Sequence, residues 1–298
     1  MRHAFGTIVT MGMIAFVCLS NVSAGVIWYT SEPTGNGSWS HLYSIDTASK
    51  AITDRGEIQS QRYITDLAAG ADGTLYGVGW TNPYAIGSSK LYRITPGSAG
   101  VAANWDIVPV QSSAMDRTVN AAVMKGGDLY VASNAGALQK LIYDDAYDRW
   151  QVARTASMGL PSGGDLAFSA GGQKLYATLD GGRLGSVNFD ESSANFGKVS
   201  IIGATGYSEV FGLAQVDGEL YGFTNDNTNY GSSYMVKLNP LTGAASDPVA
   251  LGAAVWGAAA GDVAGNPIPE PMTWTLLAVG GVLALARRRA VRQIASSC

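Results

Sequence analysis

Side chains able to do chemistry are few in this sequence. Its 298 residues hold two histidines, His3 and His41, and two cysteines, Cys18 and Cys298. A zinc site or a Ser-His-Asp triad would rest on His41 alone, and His41 opens a strand-like run and reads as polar surface. No P-loop, Gly-x-Ser-x-Gly elbow or His-Glu-x-x-His pattern occurs. One recurring position is more informative. Asp66, Asn120, Asp165, Gly212 and Gly257 each stand before a pair of small or aliphatic residues, as in Asp66-Leu67-Ala68 and Asp165-Leu166-Ala167. Two carboxylates and an amide at one recurring position are hard oxygen donors suited to Ca²⁺, with Glu209 as a further candidate ligand. The same residue types also bind free backbone amides at strand starts, and both readings stay open. Paired carboxylates for glycoside hydrolysis are conceivable, but no spacing singles out a pair. The polar run Asn225 to Gly231 fails the EF-hand pattern, because Tyr230 falls on a ligand position and no glutamate closes the loop. It reads as a long loop.

A recurring position implies a repeat that positions it. Four segments share a small-apolar strand, a glycine turn and a Leu-Tyr restart: Thr65 to Gly77, Val119 to Tyr130, Gly164 to Tyr176 and Phe211 to Gly222. Turns such as Asp72-Gly73 and Asp217-Gly218 suit tight hairpins, since glycine accepts positive φ without steric cost. Third strands follow at Lys90–Ile94, Leu138–Leu141, Leu184–Val187 and Tyr234–Leu238, and a fourth, such as Trp105–Val108, closes each unit. Four antiparallel strands per unit make a propeller blade. The Leu-Tyr tyrosines, Tyr76, Tyr130, Tyr176 and Tyr221, lie 54, 46 and 45 residues apart, close to known blade repeats of roughly 40–50. Val26–Tyr29 reads as a second strand without a first, with Tyr29 in step with Tyr76. Val255–Ala260 reads as a first strand without a second. Pairing these halves closes an all-β, five-bladed β-propeller over residues 25–265 and removes its open edges; six blades stay open as an alternative if the long 88–118 stretch hides further strands. In such a ring the first strands line a central channel, which gathers Asp66, Asn120 and Asp165 at one mouth. Trp39, Trp80 and Trp150, on blade loops, would be able to stack on sugars.

Composition and the two ends bear on address. Charged residues make up 14% and the formal net charge is −4. Between residues 25 and 266 lie 14 of the 19 basic residues and 22 of the 23 acidic ones, a balance of about −8. That acidity argues against a nucleic-acid partner. Residues 1–24 read as a signal peptide for the secretion translocon: Arg2 and His3, an apolar stretch to Leu19, then Val22-Ser23-Ala24, with cleavage between Ala24 and Gly25. The lipoprotein reading of Cys18 is weak, because Ala15-Phe16-Val17 do not make a lipobox. The 242 residues between the two ends contain no cysteine, so disulfides and thiol chemistry are not expected there. Residues 266–298 bring an extended Pro267/Pro269/Pro271 linker, an apolar run Met272–Ala286 read as a transmembrane helix, and Arg287-Arg288-Arg289. The run is short for a bilayer core, and arginines can snorkel across some of the gap. They also hold that end in the cytoplasm.

Pro269-Glu270-Pro271, the apolar segment and the arginine cluster, in that order, resemble the PEP-CTERM sorting signal of exported bacterial proteins. The resemblance implies recognition by an exosortase-type transpeptidase and cleavage near the Pro-Glu-Pro motif. It further implies a transient inner-membrane anchor, then a place at the cell surface or outside the cell, often beside extracellular polysaccharide. The extra stretch Ala290–Cys298 departs from the usual ending. The Asp-Leu-Ala, Asp-Gly-x-Leu-Tyr repeat is similar to propellers that carry this tail. The expected function is therefore an exported, non-enzymatic surface or matrix protein whose propeller is an interaction module, without a required cofactor. The alternative is a propeller hydrolase resembling sugar lactonases, with a Ca²⁺-type site at Asp66, Asn120 and Asp165.

Overall fold

The computed structural model describes residues 25–32, 40–58, 64–80, 89–95, 104–108, 115–225 and 233–260. Residues 1–24 and 266–298, expected above to be a signal peptide and a sorting signal, lie outside them, as do Trp39 and residues 226–232. Twenty strands form five four-stranded antiparallel sheets. Blade 1 comprises β4 (Ile64–Ala69), β5 (Leu75–Trp80), β6 (Ser89–Thr95) and β7 (Asn104–Val108). Blade 2 comprises β8 (Val119–Lys125), β9 (Asp128–Ser133), β10 (Ala137–Asp144) and β11 (Arg149–Ser157). Blade 3 comprises β12 (Ser162–Phe168), β13 (Leu175–Leu179), β14 (Arg183–Val187) and β15 (Val199–Ala204). Blade 4 comprises β16 (Gly212–Val216), β17 (Glu219–Asn225), β18 (Ser233–Leu238) and β19 (Ala245–Ala250). Blade 5 joins the two ends of the ring: β20 (Ala254–Ala259) pairs with β1 (Val26–Glu32), followed by β2 (His41–Asp46) and β3 (Ile52–Glu57). The inner strands β4, β8, β12, β16 and β20 pack in cyclic order, and β20 returns to β4. The result is a closed five-bladed β-propeller.

Local chemistry makes the hairpins. Gly126 and Gly127 turn between Lys125 and Asp128 with φ of 59° and 87°. Asp217 and Gly218 turn between Val216 and Glu219 with φ of 52° and 82°. Two positive φ values in a two-residue loop give the twist that antiparallel strands need.

The Leu-Tyr pair holds neighbouring blades together. Consecutive strand residues point to opposite faces, so the leucine and the tyrosine enter different wedges. Leu129 packs in the wedge between blades 1 and 2, while Tyr130 packs between blades 2 and 3. Leu175 and Tyr176 divide the same way in the next blade, as do Leu220 and Tyr221. Five buried apolar clusters result, one per wedge. Each fully buried Leu, Ile or Phe side chain in them contributes about 1.5–3 kcal/mol.

Two expectations are corrected here. Trp28, not Tyr29, occupies the Tyr76 position of blade 5. Trp28 sits opposite Ala259 as Tyr76 sits opposite Ala68, and Tyr29 turns into the other wedge against Phe223. Trp150 is only 2% exposed. Tyr76 and Tyr143 meet it edge-on at 5.6 and 5.4 Å, so it is core and offers no face to a sugar.

Candidate functional site: the acid pair in the central channel

Asp66, Asn120 and Asp165 stand at equivalent places where β4, β8 and β12 enter the channel. Gly212 and Gly257 take that place on β16 and β20. Asp66 and Asp165 are both wholly buried, with 0% exposure. Their carboxyl groups face each other across the channel closely enough for each to shift the other. Two buried carboxyl groups this close cannot both be ionised, so one carries a proton. Burial pushes both well above the usual carboxylate range, and the charge of Asp165 raises Asp66 further.

Backbone amides surround the pair. Ala122 N–H of β8 donates to Asp66 Oδ2 at 2.6 Å. Leu213 N–H of β16 donates to Asp165 Oδ2, as does Ala258 N–H of β20 at 3.4 Å. Leu166 N–H donates to Asp165 Oδ1. These amide bonds stabilise the ionised form and offset some of the burial cost. The two side chains therefore touch all five inner strands: two carry them, and three supply amides.

The glycines are required by this geometry. A Cβ on Gly257 would lie 2.3 Å from Asp66 Cα and 2.4 Å from Asp66 Oδ1. One on Gly212 would lie 2.9 Å from the Ala258 Cβ. Blade 5 gives up a side chain so that Asp66 of blade 1 fits, and blade 4 gives one up so that β20 can pack close beside it.

Asn120 has a related role in blade 2. Its Nδ2 donates to Ser162 O of β12 at 3.1 Å. Similar ties join other blades: Asn225 exchanges two 3.0 Å bonds with the Val255 backbone, and Val119 N–H donates to Ser89 Oγ at 2.9 Å. Farther along the channel the lining turns apolar, with Ala68, Met124, Leu166, Phe168 and Ala259 around an open volume of about 20 Å³. That is room for a single water.

Ca²⁺ takes six to eight oxygen ligands. The buried oxygens here without an amide partner are Asp66 Oδ1 and Asn120 Oδ1. Both oxygens of Asp165 already accept backbone N–H groups. The positive ends of four amide dipoles point at the pair, a setting that favours negative charge. The donor set does not complete a Ca²⁺ sphere, and no step is derived through a metal. Glu209, the further candidate, is exposed, and its carbonyl accepts from Thr224 Oγ1 at 2.6 Å. Among the described residues no group of three or more His, Cys, Asp or Glu side chains gathers as metal ligands would. His41 stacks on Tyr43 at 5.9 Å, with Asp54 3.6 Å away on the neighbouring strand. It lies away from the channel strand, on the third strand of blade 5.

Sequence reasoning found the two acids and the two glycines. It missed the amide partners Ala122, Leu213 and Ala258. Their side chains are apolar and carry no signal, because only their backbone is engaged.

No protein-family model and no curated protein matches the sequence. Solved structures with a similar chain course include TolB from Acinetobacter baumannii, at 14% identity and a TM-score of 0.44. That match covers 77% of this chain, which spans about half of TolB's length, at 54%. A 6-phosphogluconolactonase candidate from Bacteroides fragilis is 11% identical at a TM-score of 0.42, covering 78% of this chain and 82% of that one. Glutaminyl cyclase from Myxococcus xanthus is 16% identical at a TM-score of 0.39, covering 66% and 70%.

Proposed function

We propose that this chain is an exported, non-enzymatic surface or extracellular-matrix protein. Its signal peptide takes it through the secretion translocon. Its PEP-CTERM-like tail then hands it to an exosortase-type transpeptidase, and the propeller serves as a rigid interaction module beside extracellular polysaccharide. The observation that carries the address is a sequence feature: Pro269-Glu270-Pro271, one apolar segment, then Arg287-Arg288-Arg289, in that order along the chain.

The non-catalytic side of the reading is supported by how the acid pair is used. A general acid or nucleophile must reach a substrate atom. Asp66 and Asp165 are sealed from solvent and engaged by backbone amides of other blades. Their arrangement suits holding a ring shut. A lactonase-like reading would require substrate to reach them through the ring.

Intact mass spectrometry of the full chain, expressed in a host with the matching exosortase, tests the address. The expected product lacks both ends and is found at the outer surface or in the medium. An intact tail in the inner membrane would overturn sorting.

A further inference from the structure

Gly25, the first described residue, is held by two turns, one from each of two blades. Its N–H donates to Asp217 Oδ2 at 2.9 Å, across from the β16–β17 turn of blade 4. Its carbonyl accepts from Thr47 N at 2.9 Å and from Thr47 Oγ1 at 3.0 Å, in the β2–β3 turn of blade 5. Thr47 Oγ1 also lies 3.3 Å from Asp217 Oδ2. The approach is so close that a Cβ on residue 25 would sit 2.0 Å from Val216 Cγ2 and 2.5 Å from Asp217 Oδ2. Only glycine fits. Asp217 is itself held with φ of 52°, which aims its side chain from the turn. An amide that needs only a neutral acceptor does not require a carboxylate brought across 192 residues of sequence.

We propose that Asp217 is a receptor for the mature N-terminus. The inference rests on the reading that residues 1–24 are removed as a signal peptide. Hydrolysis of the Ala24–Gly25 bond adds the hydroxyl of one water to the Ala24 carbonyl carbon. Gly25 nitrogen takes the water's proton and one more from solvent, and becomes an ammonium. That group is created where the carboxylate already stands, and the neutral amide bond becomes a charge-assisted one. The new ion pair ties the closing blade to blade 4 beside the β20–β1 seam. Ring closure is thereby strengthened by the cleavage that accompanies export, and the precursor holds the same seam with an amide alone.

The test is a two-by-two comparison of the full chain, exported and recovered after processing. One axis is Asp217→Asn, which keeps an acceptor and suits the positive φ of the turn. The other is insertion of one glycine between Ala24 and Gly25, which moves the ammonium one residue away and leaves an amide at Gly25. Intact mass gives the first residue of each product, and thermal unfolding gives Tm. We expect the native product to start at Gly25 and Asp217→Asn to lower its Tm by about 1–4 °C. In the glycine-extended protein the same change should cost less than half as much. A Gly25 start with equal losses in both backgrounds overturns the receptor role and leaves the export reading standing. A product that retains residues 1–24, or starts elsewhere, overturns both.

Discussion

Blades 1 and 3 enter the channel with a carboxylate, and blades 4 and 5 enter it with a glycine. The position is the same in each repeat, and the residues there have diverged in complementary ways. Asp66 and Asp165 reach across to amides of β8, β16 and β20; Gly257 leaves the space that Asp66 occupies, and Gly212 lets β20 pack close beside β16. An open ring of few blades must hold its first and last units together. Here the strand pairing of β20 with β1 does so from within one blade. The acid pair does so from the centre, where all five inner strands meet.

The largest effect should come from emptying the carboxylate side. Asp165→Ala strips the acceptor from Leu166, Leu213 and Ala258 N–H and leaves Asp66 without its partner. Its expected cost is about 3–5 kcal/mol, read as the shift of the urea midpoint. A mutant as stable as the parent would mean that the amides find other acceptors. The glycine side should follow. Gly257→Ala sets a methyl against the backbone of β4, so neighbouring blades must separate, at about 2–3 kcal/mol by the same measurement. Paired with Asp66→Ala, that loss should shrink but not vanish, since the nearest atom is Asp66 Cα at 2.3 Å. Blade 2 should be the mildest. Asn120→Ala removes one 3.1 Å bond to Ser162 O and should cost about 1 kcal/mol.

Much of the architecture is legible in the sequence because its signals are local. Asp217-Gly218 makes a turn wherever it sits, and Leu-Tyr marks a strand that feeds two wedges. The split closing blade follows from a strand without a partner at each end of the repeat. The off-by-one placement of Tyr29 comes from matching residue type, where Trp28 fills the same wedge. Trp150 shows a similar limit, since an aromatic on a blade's outermost strand reads as surface until Tyr76 and Tyr143 close over it. The candidate site is half legible. Repetition singles out the positions of Asp66 and Asp165. Their role depends on contacts 56, 48 and 93 residues apart in sequence, made by backbone groups with no side-chain signature. The same holds for Gly25 and Asp217, which only ring closure brings together.

The central claim is that Asp66 and Asp165 share a proton and use it to hold the ring. Their carboxyls are raised in the native state, so the folded protein binds more protons than the unfolded chain between the ordinary aspartate range, near pH 4, and the raised native values. Their contribution to stability is fully present below that range and is lost as pH rises through the native values. Asp66→Asn supplies a permanent amide in place of the shared proton. The most direct measurement is the urea stability of parent and Asp66→Asn at pH 5 and pH 8. The parent should lose stability on going to pH 8, and the variant should lose less and be the more stable of the two there. Equal losses in both proteins, or a variant weakened equally at both pH values, would contradict the shared proton.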